Sequence, residues 1–186
     1  KFSLIITLFA VISNNTTMAY EEPKYKIIKS SEIYEIRRYN DRLAVEIEYS
    51  NEDSGFRYLF NYISGENIKS EKVKMTVPVT QSTQNKRMKM QFYLPSNFTK
   101  QNAPEPINER VKLVIIKGGD YAVIKYSGRL NNKNYSKYYE KLKDQLIEDK
   151  INYTEPPIRA TFNGPFTLPI LRRNEIMMKI DYNEYN

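Results

Sequence analysis

The sequence predicts an α+β fold: a distorted antiparallel β-barrel made of two pseudo-twofold halves, each running strand, strand, helix, strand, strand. Two observations carry this prediction. Segments that alternate with period two, as strands with one buried face do, flank segments whose apolar side chains return every three or four residues, as in a helix, and this order occurs twice. In addition, Ala44-Val45 and Tyr49-Ser50 recur as Ala122-Val123 and Tyr126-Ser127, an offset of about 78 residues, longer than the periods of solenoid arrays. The halves extend over residues 24–95 and 109–181. Two such halves leave grooves between helix and sheet, where small ligands bind.

Residues 20–23 form a charged lead-in. The first strand puts Tyr34, Ile36 and Arg38 on one face. After a turn at Asn40-Asp41, the second buries Leu43, Val45, Ile47 and Tyr49 and leaves Ala44, Glu46 and Glu48 outside. Gly55 precedes a short helix with a core stripe of Phe56, Leu59, Phe60 and Ile63, which stops at Ser64-Gly65, where glycine suits a left-handed cap. Val73, Met75, Val77 and Val79 alternate as a third strand, with Pro78 marking an edge or bulge. Residues 81–87 read as a polar hairpin loop before the strand Met88, Met90, Phe92 and Leu94. A proline-stiffened connection over 95–108 leads to the second half. There, strands over 111–116 and 121–128 are joined at Gly118-Gly119-Asp120. A helix over 134–150 follows, with the stripe Tyr135, Tyr138, Tyr139, Leu142 and Leu146. Strands over 159–162 and 175–180 end the fold. The loop 164–173 between them holds too many large apolar residues for idle exposure, and either covers the core or lines a ligand site.

The chain has 186 residues, enough for one well-buried domain and too few for two, so residues 20–186 are read as one domain. Residues 1–19 differ in kind: Lys1, an apolar run from Phe2 to Ile12, a polar stretch to Thr17, then Met18-Ala19. That layout predicts a secretory signal peptide cleaved after Ala19, and the run is too short to persist as a membrane anchor. Export to a periplasm or beyond the cell, as a monomer, is the expectation. There is no cysteine, which excludes disulfides and thiolate chemistry. The net charge of +7 comes from scattered Lys and Arg without a basic stripe, so a nucleic-acid partner is not expected.

Five blocks then carry a resemblance: Tyr34-Glu35-Ile36-Arg37-Arg38-Tyr39, Tyr62-Ile63-Ser64-Gly65-Glu66-Asn67, Val73-Lys74-Met75-Thr76-Val77-Pro78-Val79, Phe92-Tyr93-Leu94-Pro95 and Arg172-Arg173-Asn174-Glu175-Ile176. Together, and in this order, they resemble the SOUL haem-binding family over nearly all of the chain after residue 19. The resemblance implies a distorted antiparallel barrel with one helix per half. It also implies that haem or another tetrapyrrole is bound beside the first helix and flanked by the apolar loop before the last strand. Some family members carry a histidine, proposed as an iron ligand, where Arg38 stands here, and this chain has no histidine. Haem iron is usually held by His, Cys, Met or Tyr. The alternatives are therefore haem gripped by its faces and carboxylates with a Tyr or Met ligand, a metal-free porphyrin, or no haem at all.

A flat dicarboxylate macrocycle needs an aromatic or apolar wall and cations at its rim. Tyr58, Tyr62, Phe166, Leu168, Ile170 and Leu171 are the expected wall, and Arg57, Arg172 and Arg173 the rim, while the residue ligating a metal is left unassigned. Tyr62 as core and the arginines as solvated surface are the competing readings. Arg38 is also readable as a surface residue bridging to Glu35 or Glu48. No serine elbow, phosphate loop or metal-ligand spacing is present, Glu46 and Glu48 read as a solvated strand face, and no catalytic residue is assigned. Two other functions use the same groove: a module for a different planar apolar ligand, or a hydrolase with a buried Glu or Tyr. Groove charge separates them, because a basic rim suits a porphyrin dicarboxylate and a buried acid suits a cation or catalysis.

Overall fold

The computed structural model describes residues 20–50, 54–84 and 86–182. The expected signal peptide lies outside them. They form nine strands and two α-helices: β1 (Tyr25–Ser30), β2 (Glu35–Tyr39), β3 (Arg42–Tyr49), α1 (Gly55–Ile63), β4 (Val79–Gln84), β5 (Arg87–Tyr93), β6 (Val111–Ile116), β7 (Gly119–Tyr126), α2 (Asn132–Glu148), β8 (Tyr153–Thr161) and β9 (Asn174–Ile180). All strands join one antiparallel sheet in the order β1-β2-β7-β9-β8-β4-β5-β3-β6. Only Asn40 and Asp41 connect β2 to β3, although five strands stand between them in that order. Such a short link forces the sheet to curl until its two ends approach. The α+β class and the barrel-like antiparallel sheet with two helices are as the sequence predicts.

Both helices lie on the outer face of the curl. Leu59, Tyr62 and Ile63 of α1 pack on Val45, Ile47, Met90 and Phe92, and Leu142 and Leu146 of α2 pack on Ala122, Ile124, Ile176 and Met178. Gly55 lets the start of α1 settle on β3, since a Cβ there would meet the Tyr49 ring at 2.7 Å. Gly65, with φ of +113°, supplies the left-handed cap. The Asn131 side chain caps α2 by accepting from the Asn134 N–H at 2.8 Å. Among the described residues no helix is long and apolar enough to cross a membrane.

Several elements depart from the sequence expectation. β1 was not foreseen as a strand. Residues 73–78 hold only an isolated bridge, Thr76 to Glu21, because Pro78 has no N–H to give a ladder and β4 begins after it. Residues 81–84, expected in a loop, extend β4. β8 starts at Tyr153, and a register break between Thr154 and Ile158 absorbs Pro156 and Pro157. α2 covers 132–148 instead of 134–150. Phe56 and Phe60 were expected in the core, but both are half-exposed, because the helix turns Tyr62 inward in their place. Ala44, placed outside from sequence, is fully buried, and Glu46 is mostly covered. The face they occupy is the inside of the curl, where Glu46 accepts from Gln91 Nε2 at 2.6 Å and pairs with Lys89 at 3.1 Å. Arg38 pairs with Asp120 at 2.7 Å, not with Glu35 or Glu48.

Candidate ligand-binding site

On the outer face, two cross-strand rows run over β5, β4 and β8: Phe92, Val79, Thr161 and, two residues further along, Met90, Gln81, Arg159. These rows floor a trough between the helices, since α1 packs on β3 and β5 while α2 packs on β7, β8 and β9. Phe56 meets Phe92 edge-on at 5.2 Å and stacks with Phe60 at 5.9 Å, which makes the α1 wall aromatic. On the other side the Arg159 guanidinium lies 4.1 Å over the Tyr135 ring of α2.

The 162–173 loop springs from the Thr161 end of the trough. Phe166, Leu168, Ile170 and Leu171 are 63–99% exposed, so the loop does not cover the core. Its base is nevertheless pinned. Arg172 Nε donates to the Thr167 carbonyl at 2.8 Å and Nη2 to the Pro165 carbonyl at 2.6 Å, and the Pro169 carbonyl accepts from the Gly128 N–H at 2.8 Å. An exposed patch of four large apolar side chains on a pinned loop is uncommon on a soluble surface and is a usual mark of recognition sites.

The other expected site residues divide. Arg57 is exposed, 5.5 Å from the ring of half-buried Tyr58, whose hydroxyl accepts from Arg110 at 3.1 Å. Tyr62 departs from the expectation: it is buried in the core under α1, and its hydroxyl donates to the Pro104 carbonyl at 2.7 Å. Burial pushes this phenol up to about 12, with the charges of Glu105 and Glu71 adding to the rise. Tyr62→Phe is expected to lower stability by about 1–3 kcal/mol, since a buried carbonyl loses its donor, and to leave ligand affinity unchanged. Urea unfolding and a ligand titration on the same sample check this, and a loss of affinity at unchanged stability would return Tyr62 to the site. Arg172 spends its guanidinium on the loop. Arg173 pairs with Glu22 at 2.9 Å and Glu175 at 3.0 Å and covers the Phe162 ring at 3.7 Å. The rim expected from these two arginines is therefore largely committed elsewhere.

Sequence reasoning missed Phe56 and Phe60 as wall residues because their helical spacing also fits a core stripe. It also missed a cleft of about 580 Å³ in the trough, lined by Tyr49, Gln81, Met88, Tyr135, Arg159 and their neighbours. Inside the curl it missed Arg42, whose guanidinium is 4.4, 5.0 and 5.5 Å from the rings of Tyr39, Tyr93 and Tyr121, and the fully buried pair of Arg37 with Glu175 at 2.8 Å. Among the described residues no cluster of three His, Cys, Asp or Glu side chains is placed to hold a metal. The site fits a macrocycle's faces better than its metal: Tyr62 is enclosed, and the Tyr58 hydroxyl already has a partner.

The family model described as SOUL heme-binding protein matches residues 20–179. A search of curated proteins finds no match. Among solved structures, the EcmrR C-terminal domain is similar with a TM-score of 0.60 at 10% identity, covering 84% of this chain and 98% of that one. A hydrolase from Listeria innocua has a TM-score of 0.56 at 9% identity, covering 89% and 94%. Another structure of a Listeria innocua hydrolase has 0.59 at 10%, covering 83% and 94%. At such identities these likenesses concern the fold alone.

Proposed function

We propose that this chain, which belongs to the SOUL heme-binding protein family, is an exported, non-catalytic binder of haem or a related tetrapyrrole, serving as carrier, buffer or scavenger. The observation that carries the reading is the exposed apolar surface of Phe166, Leu168, Ile170 and Leu171, on a loop that springs from Thr161, the end of the cross-strand row whose other end, Phe92, carries Phe56 of α1. A flat macrocycle laid there covers side chains that otherwise face water, and each fully covered one contributes about 1.5–3 kcal/mol. Arg57 and Tyr58 lie on the same helix. Export rests on the leader pattern of residues 1–19. Among the described residues the 580 Å³ cleft has no acidic side chain in its lining, which favours a carboxylate ligand over a hydrolase acting through a buried Glu; Tyr49 and Tyr135 do line it. The buried acid Glu175 is held between Arg37 and Arg173 on the opposite face of the sheet.

When bound, haem supplies an iron centre, and the residues of this chain bind and orient the ring through its faces and carboxylates. Haemin and iron-free protoporphyrin are therefore expected to bind with affinities within about tenfold of each other, about 1.4 kcal/mol, as read from the absorption band in a titration. A strong preference for haemin that disappears on replacing one Tyr or Met would instead establish axial ligation. Failure of both ligands to bind would sink the reading.

A further inference from the structure

Arg159 stands apart from the other buried or half-buried arginines. Arg37 and Arg173 have carboxylate partners and Arg42 has a cage of three rings. Arg159 has only the Tyr135 ring beneath it and a long bond, 3.4 Å, to the Asn132 side-chain oxygen. No carboxylate among the described residues comes within ion-pair distance of it. Its charge is nevertheless felt widely: burial pushes the Tyr49, Tyr126 and Tyr135 phenols up, and in each the Arg159 charge opposes that rise.

This cation opens into the 580 Å³ cleft, a volume suited to a small molecule. Tyr49, Tyr135 and Met88 give it flat and polarisable walls, and Pro156 and Pro157 stiffen one side. Lys86, at the β4–β5 turn, adds a second positive charge, and among the described residues no acid lines the space. Asn132 places the first turn of α2 there too, so the positive end of that helix faces the same region.

We propose that this cleft is a recognition site for a carboxylate carried on a planar aromatic ring, with Arg159, seated on the Tyr135 ring, as its anchoring cation. A guanidinium seated over a ring keeps N–H groups at its edge for the paired hydrogen bonds that carboxylates make, and the one long bond to Asn132 is easily exchanged. The carboxylate has two possible sources: a propionate of a tetrapyrrole lying along the trough, or a separate small aromatic acid. The first rests on the tetrapyrrole reading and the second does not.

Calorimetric titration with 2-naphthoate and with neutral 2-naphthamide tests the site without any tetrapyrrole. Naphthoate is expected to bind at least about tenfold more tightly, and Arg159→Gln to erase that difference; Lys86→Gln should narrow it by a few-fold. Should Arg159→Gln fail to fold by circular dichroism, the Arg159 Nε–H resonance of the unaltered protein is read instead. It should move with naphthoate and stay with naphthamide. Haemin that displaces naphthoate, where its dimethyl ester does not, identifies the tetrapyrrole propionate as occupant, and haemin bound alongside naphthoate identifies a separate acid. Equal binding of acid and amide, a folded Arg159→Gln variant that still discriminates, or an unmoved Arg159 resonance overturns the proposal whether or not porphyrins bind.

Discussion

Arg37→Ala is expected to destabilise the protein by about 3–5 kcal/mol, the usual consequence of removing one member of a buried ion pair. Arg37 is fully buried inside the curl. Its Nη1 and Nη2 donate to Glu175 at 2.8 and 3.2 Å, its Nε to Glu35 at 2.7 Å, and its guanidinium lies 4.4 Å over the Tyr25 ring. Burial would push this group's pKa down, but the hydrogen bond and charge of Glu175 hold it above its ordinary value, so the charged form is the one the fold requires. Removing it leaves Glu175 buried with only Arg173 opposite. A chain of this size loses about 2–4 °C of melting temperature per kcal/mol, so a fall of roughly 6–20 °C is expected. The double variant Arg37→Met with Glu175→Leu should recover most of the loss, because replacing a whole buried pair by apolar groups is often neutral. Urea and thermal unfolding followed by circular dichroism measure both. A single variant that loses less than about 1 kcal/mol would mean that water reaches the pair and that the interior is not closed.

Changing Phe166, Leu168, Ile170 and Leu171 together to Ser is expected to leave stability within about 0.5 kcal/mol, as exposed positions do, while weakening porphyrin binding about a hundredfold. The estimate follows from area: four side chains, each worth about 1.5–3 kcal/mol when fully covered, lose at least about 3 kcal/mol under a ligand that covers them in part. An absorption titration reads the affinity and a melting curve the stability. Unchanged affinity in a folded variant would take the loop out of the site. Lost stability at normal affinity would make the four residues structural.

Alternation made β3 and β5 legible, and helical spacing made both helices legible, because each has one face against a shared core. β1 and the start of β8 were not. β1 is an edge strand with no buried residue, and β8 begins before the strand expected over 159–162 because a register shift carries it past Pro156 and Pro157. Parity along β2 was also readable, separating Tyr34 and Ile36 from Arg37. Which parity faces water was not, because a curled sheet buries both sides.

The ligand wall divides in the same way. Residue types and the family blocks marked α1 and the 164–173 loop as an apolar, aromatic region, and the absence of histidine and cysteine removed imidazole and thiolate ligation without any coordinates. Those are local or compositional properties that a chain carries wherever it folds. Which arginine is bound and which is available is different in kind. Arg37 meets a carboxylate 138 residues away and Arg173 one 151 residues away, while Arg159 meets none. Ion pairing depends on separations of a few ångströms between strands that are distant in sequence, and only their assembly into the curled sheet determines them.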